Sequence, residues 1–338
     1  MKWYDTIDSS CDVVISSRVR LARNLDGFAF PHRLAPESSK RVALCVKQAL
    51  ETGFGGELEF TEIRNDRSER RNLLVEEHLI SPAFAQDSHL YRMLVTGKDE
   101  SLAVMINEED HIRIQAICPG FNIDKAFEIA NRADDVIIDG CDVAYDETLG
   151  FLTSCPTNLG TGMRASVMMH LPALTSFGHI KSLVNLMNKI GLCVRGIYGE
   201  GSEARGNLYQ ISNQVTLGIG EEDTVSKLKS AVSQIVERER QARKKLLEGN
   251  GTDTLWRSYG VLKYARSIDT NEASKLISNV LLAGRSGVIP ECKNKNLIKL
   301  LFEIMPSHIA ARFPDAVNAS LRDKYRADVI RQYLSEEL

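Results

Sequence analysis

The segment from Ser154 to His170 combines a thiol, a flexible bend and a cation. It places Cys155 close to Gly160 and Gly162, and Arg164 opens the apolar run that follows. Glycines let backbone N–H groups approach an anion closely, and a guanidinium binds phosphate through two parallel hydrogen bonds. The segment therefore indicates a phosphate site, although a loop with a buried thiol and a surface arginine would have the same composition.

Arginine recurs in three further segments of the first two-thirds of the chain. Arg18 and Arg20 are two residues apart in strand-like sequence, so their side chains leave the same face and repel each other unless an anion lies between them. Arg113 and Arg195 also lie in or beside strand-like sequence. A polyphosphate would supply the anion. Taken alone, each of these arginines is more often a surface side chain or part of a salt bridge.

The overall composition gives no reason to expect nucleic acid or a membrane as a partner. The 338-residue chain carries 42 lysine and arginine against 45 aspartate and glutamate residues, a formal net charge of −3. It has no apolar run near the ~20 residues that span a bilayer, and its N-terminus lacks the apolar core of a signal peptide. The seven cysteines are scattered without a C-x-x-C pair, so neither a disulfide framework nor a metal site is indicated, and a cytoplasmic location is expected.

Alternating apolar residues predict a hairpin formed by Leu102–Ile106 and Ile112–Ala116. Its turn, Asn107–Asp110, places Glu109 near the tip, and Arg113 points away from the apolar face of its strand. Because several strands follow one another through short turns, the sequence predicts an α+β fold with a largely antiparallel sheet flanked by helices. Further strands are predicted at 12–16, 149–154, 163–171, 192–197 and 208–218, and helices at about 37–52, 123–138, 173–190 and 222–247.

The sequence Gly249-Asn250-Gly251 interrupts a long charged helical pattern and predicts a domain boundary. Residues 1–248 then form the α+β domain. Residues 249–338 form a small helical domain, with helices at about 253–267, 271–284, 294–304 and 318–335. We expect this helical domain to provide a homodimer interface, because it is small and has several apolar helix faces.

Several motifs together resemble, in order and spacing, those of the ATP:guanidino phosphotransferases. They are Ser16–Arg20, Asn107–Arg113, Cys155–Gly160 with Arg164–Val167, and Gly199–Glu203 with Ile211–Asn213. The similarity spans about residues 12–242, and the chain looks most like the bacterial protein-arginine kinases, since it begins shortly before the first arginine pair and adds a helical C-terminal region. The resemblance implies a phosphagen-kinase catalytic domain of the glutamine-synthetase-like class.

The resemblance implies that ATP, with Mg²⁺ bound to its phosphates, is the phosphoryl donor. Arg18, Arg20, Arg113 and Arg164 would hold the phosphates. Guanidinium groups suit this role because they fix the orientation of a transferring phosphoryl group and neutralise its charge. His78 would lie near the adenine.

Other residues fall in the nucleotide-contacting segments of the family. They are Ser16, Ser17, Val19, Ala165, Ser166, Val167, Met168, Arg195, Gly196, Ile197, Tyr198, Gly199 and Glu200. The small-molecule kinases carry a further phosphate-binding arginine where this chain has Tyr198. Arg195, three residues earlier, is the expected replacement.

The acceptor implied by the resemblance is an arginine side chain. Its protonated guanidinium is a poor nucleophile until a proton leaves during attack, and Glu109 would orient this group and take the proton. A second carboxylate, from the Gly199–Glu203 loop, would also bind the acceptor guanidinium. Glu200 and Glu203 both remain candidates, with Glu200 ranked slightly ahead for a protein substrate. Cys155 matches the reactive cysteine of the family, and nearby arginines would favour its thiolate beside the acceptor.

The C-terminal region carries the motif R-D-x-x-R-A, which forms the phosphoarginine pocket of protein-arginine kinases; Arg322, Asp323, Arg326 and Ala327 would line it. Without the resemblance, Arg322 and Arg326 would be an i,i+4 pair on a solvated helix face. The resemblance predicts a kinase that marks or inactivates stress regulators and clients of a Clp-type protease, with an activator protein as a further candidate partner. The alternatives left open are a kinase for free arginine or another guanidino compound, and an adaptor that only reads phosphoarginine.

Overall fold

The computed structural model describes residues 2–6, 12–196, 204–249 and 251–336. The strands in these ranges are β1 (Val14–Arg23), β2 (Leu58–Glu62), β3 (Met93–Gly97), β4 (Leu102–Ile106), β5 (Ile112–Pro119), β6 (Tyr145–Asp146), β7 (Gly150–Phe151), β8 (Met163–His170), β9 (Leu192–Gly196) and β10 (Leu208–Asn213). The helices are α1 (Pro36–Phe54), α2 (Ser68–Glu76), α3 (Pro82–Ala85), α4 (Ile123–Gly140), α5 (Pro172–Ser176), α6 (Ile180–Lys189), α7 (Glu221–Glu248), α8 (Gly251–Tyr264), α9 (Thr270–Arg285), α10 (Leu297–Glu303), α11 (Pro306–Arg312) and α12 (Ala319–Ser335).

Eight of the strands form one sheet in the order β2-β3-β4-β5-β1-β8-β10-β9. The pairs β2–β3, β3–β4, β4–β5 and β5–β1 are all antiparallel. The predicted hairpin is β4–β5, in which Ile106 pairs with Ile112 and the chain turns through the residues between them. The prediction of an α+β fold with an antiparallel sheet is confirmed.

Contacts between residues group the chain into two compact units. The first contains Met1–Trp3, Ser16–Val167 and Ser212–Ser230, and the second contains Tyr4–Ile15, Met168–Ile211 and Ala231–Leu338. The break predicted at Gly249 falls between α7 and α8. The division into residues 1–248 and 249–338 stays a prediction of how the chain is organised into domains.

In the first unit, the two faces of the sheet have different surroundings. Leu21, Ile114 and Val104 lie side by side in register on one face and are fully buried. Helix α4 covers this face, and its Asp134 accepts hydrogen bonds from Arg23 Nε at 3.2 Å and Nη2 at 2.7 Å. The other face holds a second apolar cluster, formed by Ala103 and Met105 of the sheet, by residues of α2 and α3, and by the segment between these two helices.

In the second unit, α9 is the central helix of the C-terminal region. It packs against α8 and α10, while α12 packs against α8 and α11. The N-terminus of α5 is held by the buried Glu239 of α7, which accepts hydrogen bonds from the backbone N–H groups of Ala173 and Leu174. Arg243 pairs with Glu239 at 2.9 Å and neutralises it.

The structure differs from the sequence-based prediction in several elements. The helix predicted at 173–190 is divided into α5 and α6, because Gly178 adopts a φ of 70° that ends the first helix. The strand predicted at 208–218 ends at Asn213. The sequence analysis missed α2, α3, α11, β2, β3 and β6. Within the described ranges, none of the helices has the length and apolar character needed to cross a membrane.

Candidate active site

Three of the predicted phosphate-binding arginines lie on one face of two neighbouring strands. Arg20 of β1 pairs with Gln115 of β5, and Ala22 pairs with Arg113. Residues that pair across an antiparallel ladder point to the same face, and so do residues two apart in a strand. Arg18, Arg20 and Arg113 therefore share the face opposite Leu21 and Ile114.

Arg164 extends this group from β8, the strand next to β1 in the sheet. Its Nη2 lies 3.3 Å from Ser212 Oγ. The pKa of Arg20 is well below its usual value, first because the guanidinium is shielded from water and then because Arg18, Arg113 and Arg164 repel its charge. The four side chains, the first and last of which are 146 residues apart in the sequence, thus interact in one place, and we call them the arginine cluster.

One buried atom of the arginine cluster has no hydrogen-bond partner. Arg20 Nε is inaccessible to solvent, and none of the described residues accepts a hydrogen bond from it. A buried donor without a partner is costly in free energy, and like charges at close range add to that cost. An anionic ligand such as a polyphosphate would satisfy the donor and neutralise the repulsion, so the cluster fits the phosphates of ATP.

His78 lies beside the arginine cluster. The pKa of its imidazole is lowered to about 3, mainly by desolvation and further by the charges of Arg18 and Arg20. The ring is therefore neutral at physiological pH. Its backbone is held in a left-handed conformation, with a φ of 62°, and its carbonyl oxygen accepts a hydrogen bond from Gln115 Nε2 at 2.6 Å.

Two adjacent carboxylates contact the arginine cluster from the β4–β5 turn. Arg113 Nη1 lies 2.7 Å from Glu108 Oε2, and Arg113 Nη2 donates to Glu109 Oε2 at 2.7 Å. The side chain of Glu108 is only 4% exposed, whereas that of Glu109 is 47% exposed. Only Glu109 is thus accessible to a large acceptor.

Glu108 is a site residue that the sequence analysis missed. Besides pairing with Arg113, it accepts hydrogen bonds from Ser81 Oγ and from the backbone N–H of Glu109, at 2.7 and 2.8 Å. It therefore fixes both Arg113 and the backbone of the neighbouring glutamate. The paired acids Glu108-Glu109 were visible in the sequence, but only the fold shows that the first of them points inward.

Asp110 links the Glu109 turn to the segment that carries Cys155. It is fully buried, and its Oδ1 accepts hydrogen bonds from Asn24 Nδ2 and from the backbone N–H of Ser154, both at 2.7 Å. Glu109 precedes Asp110 in the chain, and Cys155 follows Ser154. One carboxylate therefore holds together the backbones of the two predicted acceptor-side residues.

Cys155 is half-buried, and its Sγ lies 3.0 Å from Thr157 Oγ1. The segment after it is anchored by Thr216, whose Oγ1 donates to the carbonyl oxygens of Thr157 and Leu159 at 3.0 and 2.6 Å. These bonds hold the backbone immediately after Cys155 in place.

The glycines of this segment have a role other than the predicted phosphate binding. A Cβ on Gly160 would lie 2.2 Å from the carbonyl oxygen of Thr216, and one on Gly162 would lie 2.6 Å from that of Ala22. Both distances are far below van der Waals contact. The glycines are needed because the segment packs closely against neighbouring backbone.

Several predicted nucleotide-binding side chains are turned away from the arginine cluster or fully buried. Ser17 Oγ donates to Gly120 O and accepts from the N–H of Asn122, just before α4. The other predicted residues on β1 and β8 are buried as well: Ser16, Val19, Ala165, Ser166, Val167 and Met168. Arg195 and Gly196 lie in β9 of the second unit, with Arg195 exposed. The remaining predictions, Ile197, Tyr198, Gly199, Glu200 and Glu203, lie outside the described residues.

The predicted phosphoarginine motif lies in α12 of the second unit. Arg326 is 1% exposed and pairs with Asp323. Its Nε donates a hydrogen bond to Ile304 O at 2.8 Å, and its Nη1 donates one to Ile268 O at 2.9 Å. Arg322 is half-buried, and its Nη1 lies 3.4 Å from Ala316 O. Ala327 is buried. Arg326 thus connects α12 to two neighbouring segments, whereas Arg322 and Asp323 reach the surface.

Four interacting arginines, two carboxylates in contact with one of them, and a cysteine whose neighbour Ser154 is hydrogen-bonded to Asp110 are the residue types that phosphoryl transfer to a cationic acceptor requires. Residues 41–242 match the C-terminal catalytic domain of the ATP:guanido phosphotransferases, and residues 250–337 match the C-terminal domain of the protein-arginine kinase McsB. The chain belongs to the ATP:guanido phosphotransferase family.

Similar proteins of known name agree with this assignment. A protein-arginine kinase of Syntrophomonas wolfei is 46% identical over 332 residues, which cover 96% of this chain and 92% of that protein. One from Shouchella clausii is 43% identical, with 99% and 95% coverage. The crystal structure of a lombricine kinase superposes with a TM-score of 0.60 at 25% identity, covering 72% of this chain and 70% of that one.

Proposed function

We propose that this protein transfers the γ-phosphoryl group of ATP to the guanidinium groups of arginine side chains in proteins. The observation that carries the proposal is the arginine cluster with its buried, unpartnered Arg20 Nε. The cluster requires an anion, and the carboxylates beside it suit a guanidinium. The full-length similarity to protein-arginine kinases supports a protein as the acceptor.

In this proposal, Arg18, Arg20, Arg113 and Arg164 hold the ATP phosphates and align the γ-phosphorus with the incoming nitrogen. Phosphoryl transfer depends mainly on such positioning and on stabilisation of the charge on the phosphate oxygens. The β1–β5 register and the burial of Arg20 hold Arg18, Arg20 and Arg113 on one face, and Arg164 joins them from β8. His78 stays neutral and adds no further positive charge.

Mg²⁺ enters with the nucleotide. Among the described residues, there is no group of three or more His, Cys, Asp or Glu side chains that would hold a metal ion. A Mg²⁺ ion at this site would therefore take most of its ligands from phosphate oxygens and water, as is common for nucleotide-bound Mg²⁺. Its charge would offset the negative charge of the β- and γ-phosphates.

The acceptor arginine is oriented by Glu109, the exposed member of the carboxylate pair. A guanidinium nitrogen attacks the γ-phosphorus, the bond to the β,γ-bridging oxygen breaks, ADP leaves, and the nitrogen's proton passes to Glu109. Glu109 pairs with Arg113 in this structure. Binding of phosphate to Arg113 weakens that pair and makes Glu109 available to the acceptor.

Cys155 and one carboxylate of the 199–203 segment complete the acceptor side. We place the Cys155 sulfur beside the acceptor guanidinium, where it helps to position that group. Glu200 or Glu203 supplies the second carboxylate. Which of the two acts can be decided by comparing Glu200→Gln and Glu203→Gln, because only the functional one lowers kcat strongly.

The activity is tested by incubation with Mg²⁺ and ATP together with an unfolded protein, the same protein with every arginine replaced by lysine, or free arginine. We expect acid-labile phosphate, located on arginine by mass spectrometry under non-acidic conditions, only with the first. Glu109→Gln should abolish transfer, whereas Glu59→Gln, which changes an exposed carboxylate of the same unit, should not. Transfer to free arginine alone would instead identify a small-molecule kinase, and full biological activity of Glu109→Gln would identify a phosphoarginine-reading adaptor.

The C-terminal motif is proposed as a phosphoarginine pocket. Arg322 and Asp323 would contact the ligand at the surface, and the buried Arg326 with Ala327 would hold them in place.

We further propose that residues 249–338 form a separate domain that provides a homodimer interface. We propose a cytoplasmic location for the protein. Its proposed partners are an activator protein, stress regulators and a Clp-type protease. Light scattering at micromolar concentration would show twice the chain mass for the dimer and a single chain mass otherwise.

A further inference from the structure

Two cysteines outside the arginine cluster lie in contact. Cys45 of α1 and Cys141, which directly follows α4, are 96 positions apart in the sequence, yet their sulfur atoms are 3.1 Å apart. Both are free thiols in this structure. In a disulfide the two sulfur atoms are about 2.05 Å apart, so a shift of about 1 Å would bring them within bonding distance.

The contact between the thiols follows from close packing of the two helices. A Cβ on Gly53 of α1 would lie 2.4 Å from Val136 Cγ1 of α4, and one on Gly140 of α4 would lie 2.6 Å from Ala49 Cβ of α1. Both helices thus have a glycine where the other comes nearest. Because the backbones fix this approach, the thiols are held together by the helix pair itself.

A groove gives small molecules access to one of the two thiols. It has a volume of about 420 Å³ and is lined by Cys45, Gln48, Thr52, Asp139 and the two helix-contact glycines. Cys45 is half-buried, whereas Cys141 is only 8% exposed and does not line the groove. An oxidant would therefore reach Cys45 first.

We propose that Cys45 and Cys141 are an oxidation site that forms a reversible disulfide with peroxide as the oxidant. Hydrogen peroxide transfers one oxygen to Cys45, giving a sulfenic acid and one water. Cys141 sulfur then attacks Cys45 sulfur; the S–S bond forms, the S–O bond breaks, and the oxygen leaves as a second water with the proton of Cys141. A dithiol reverses the reaction and is itself oxidised.

The surroundings of Cys141 determine the pace of the second step. Burial, together with the neighbouring Cys45 thiol and the charge of Asp142, raises the pKa of Cys141 to about 12. Since the thiolate is the attacking form, the disulfide forms slowly at neutral pH and accumulates during sustained exposure.

The disulfide would connect α1 to the segment after α4, which is hydrogen-bonded to the residues that follow β1. Immediately after Cys141, Asp142 O accepts a hydrogen bond from Asp26 N, and Ala144 N donates to Asn24 O, both at 2.8 Å. Asn24 follows β1, the strand that carries Arg18 and Arg20. The crosslink would thus restrain the end of this strand, and its formation does not depend on the proposed function.

The test is peptide mapping of the full-length chain after treatment with hydrogen peroxide, alkylation and digestion without reductant. We expect a Cys45–Cys141 linked peptide that disappears after dithiothreitol, and a rise in Tm of at least about 5 °C, because the bond closes a long loop of chain. The parent chain is mapped first, and the mapping is repeated with Cys155→Ser to show that oxidation of that thiol does not contribute.

Cys45→Ser and Cys141→Ser should each abolish the linked peptide and the gain in Tm. Cys292→Ser, which changes a buried cysteine of the second unit, should preserve both. The proposal is overturned if Cys45 of the parent chain is recovered as sulfinic or sulfonic acid, is linked to another cysteine, or stays alkylatable at a peroxide dose that oxidises exposed methionines. Mapping of the parent chain decides the matter even if a serine variant fails to fold.

Discussion

Replacing Arg20 by methionine removes a cation that three other arginines repel. It also removes the buried Nε that has no hydrogen-bond partner. Methionine has a similar length and no polar group to bury, so it should fit the same space. We expect Arg20→Met to make the ligand-free protein more stable and the enzyme almost inactive.

The size of the stability gain follows from the unpaired donor. A buried donor without a partner costs about 1–3 kcal/mol. The electrostatic attraction of Arg20 by Glu108 is weaker than its repulsion by the arginines and offsets only part of this cost. For a chain of this size, the gain corresponds to a rise in Tm of about 2–6 °C. Loss of one phosphate-binding guanidinium should lower kcat/KM by about 10³-fold, by analogy with other residues that stabilise transferring phosphate.

The assay is thermal unfolding at fixed ionic strength with and without Mg²⁺ and ATP, combined with phosphoarginine formation. The parent chain should gain stability with ATP, whereas Arg20→Met should start from a higher Tm and gain much less. Arg67→Met, which changes an exposed arginine of the same unit, controls for the loss of one charge. A lower Tm for ligand-free Arg20→Met than for Arg67→Met, or undiminished transfer, would refute the assignment of Arg20 to an anion site.

Asp110→Ala should lower kcat about 10²-fold with little change in the KM for ATP, because it removes the oxygen that accepts hydrogen bonds from Asn24 and from the backbone N–H of Ser154. An increased KM with normal kcat would contradict this. His78 has a folded pKa of about 3, below its unfolded value near 6.5, so it contributes stability above pH 6.5 that is lost as the pH falls toward 3. His78→Gln should therefore lose less stability than the parent between pH 7 and pH 5 in urea unfolding, and an identical loss would show that His78 is protonated in the folded state. Arg326→Ala should lower the free energy of unfolding by about 3 kcal/mol, because two backbone carbonyls lose a charged donor. Arg322→Ala should keep its stability and lose affinity for a phosphoarginine peptide. The reverse pattern would exchange the roles of the two arginines.

Local patterns were sufficient to predict the hairpin that carries Glu109 and Arg113. Alternation of apolar residues defines both strands, and Ile106 pairs with Ile112 as expected. The long amphipathic helices α1 and α4 were also predicted within two residues at each end. By contrast, β2 is an edge strand whose residues are nearly all half-buried, so its sequence has no clear alternation, and its conformation is stabilised by pairing with β3.

The types of residue at the site were likewise visible in the sequence, whereas their partners were not. The arginines and Glu109 were identified from motifs, but Glu108 and Asp110 are distinguished only by burial and by hydrogen bonds to Ser81, Asn24 and Ser154. For Gly160 and Gly162 as well, the sequence shows the residue type but not the group that it contacts. A glycine permits a close approach of backbone, and only the fold shows that neighbouring backbone, of Thr216 and of Ala22, approaches these two glycines.

The sequence by itself determined which side chains can hold a phosphate and an acceptor, because charge, hydrogen-bonding capacity and strand alternation are properties of single residues and their near neighbours. The tertiary structure decided which of them meet. Arg20 and Arg113 become neighbours through the register of β1 with β5, and Cys45 meets Cys141 through the packing of α1 on α4. Neither contact could be read from local sequence, since each depends on the free energy of packing elements that are about a hundred residues apart.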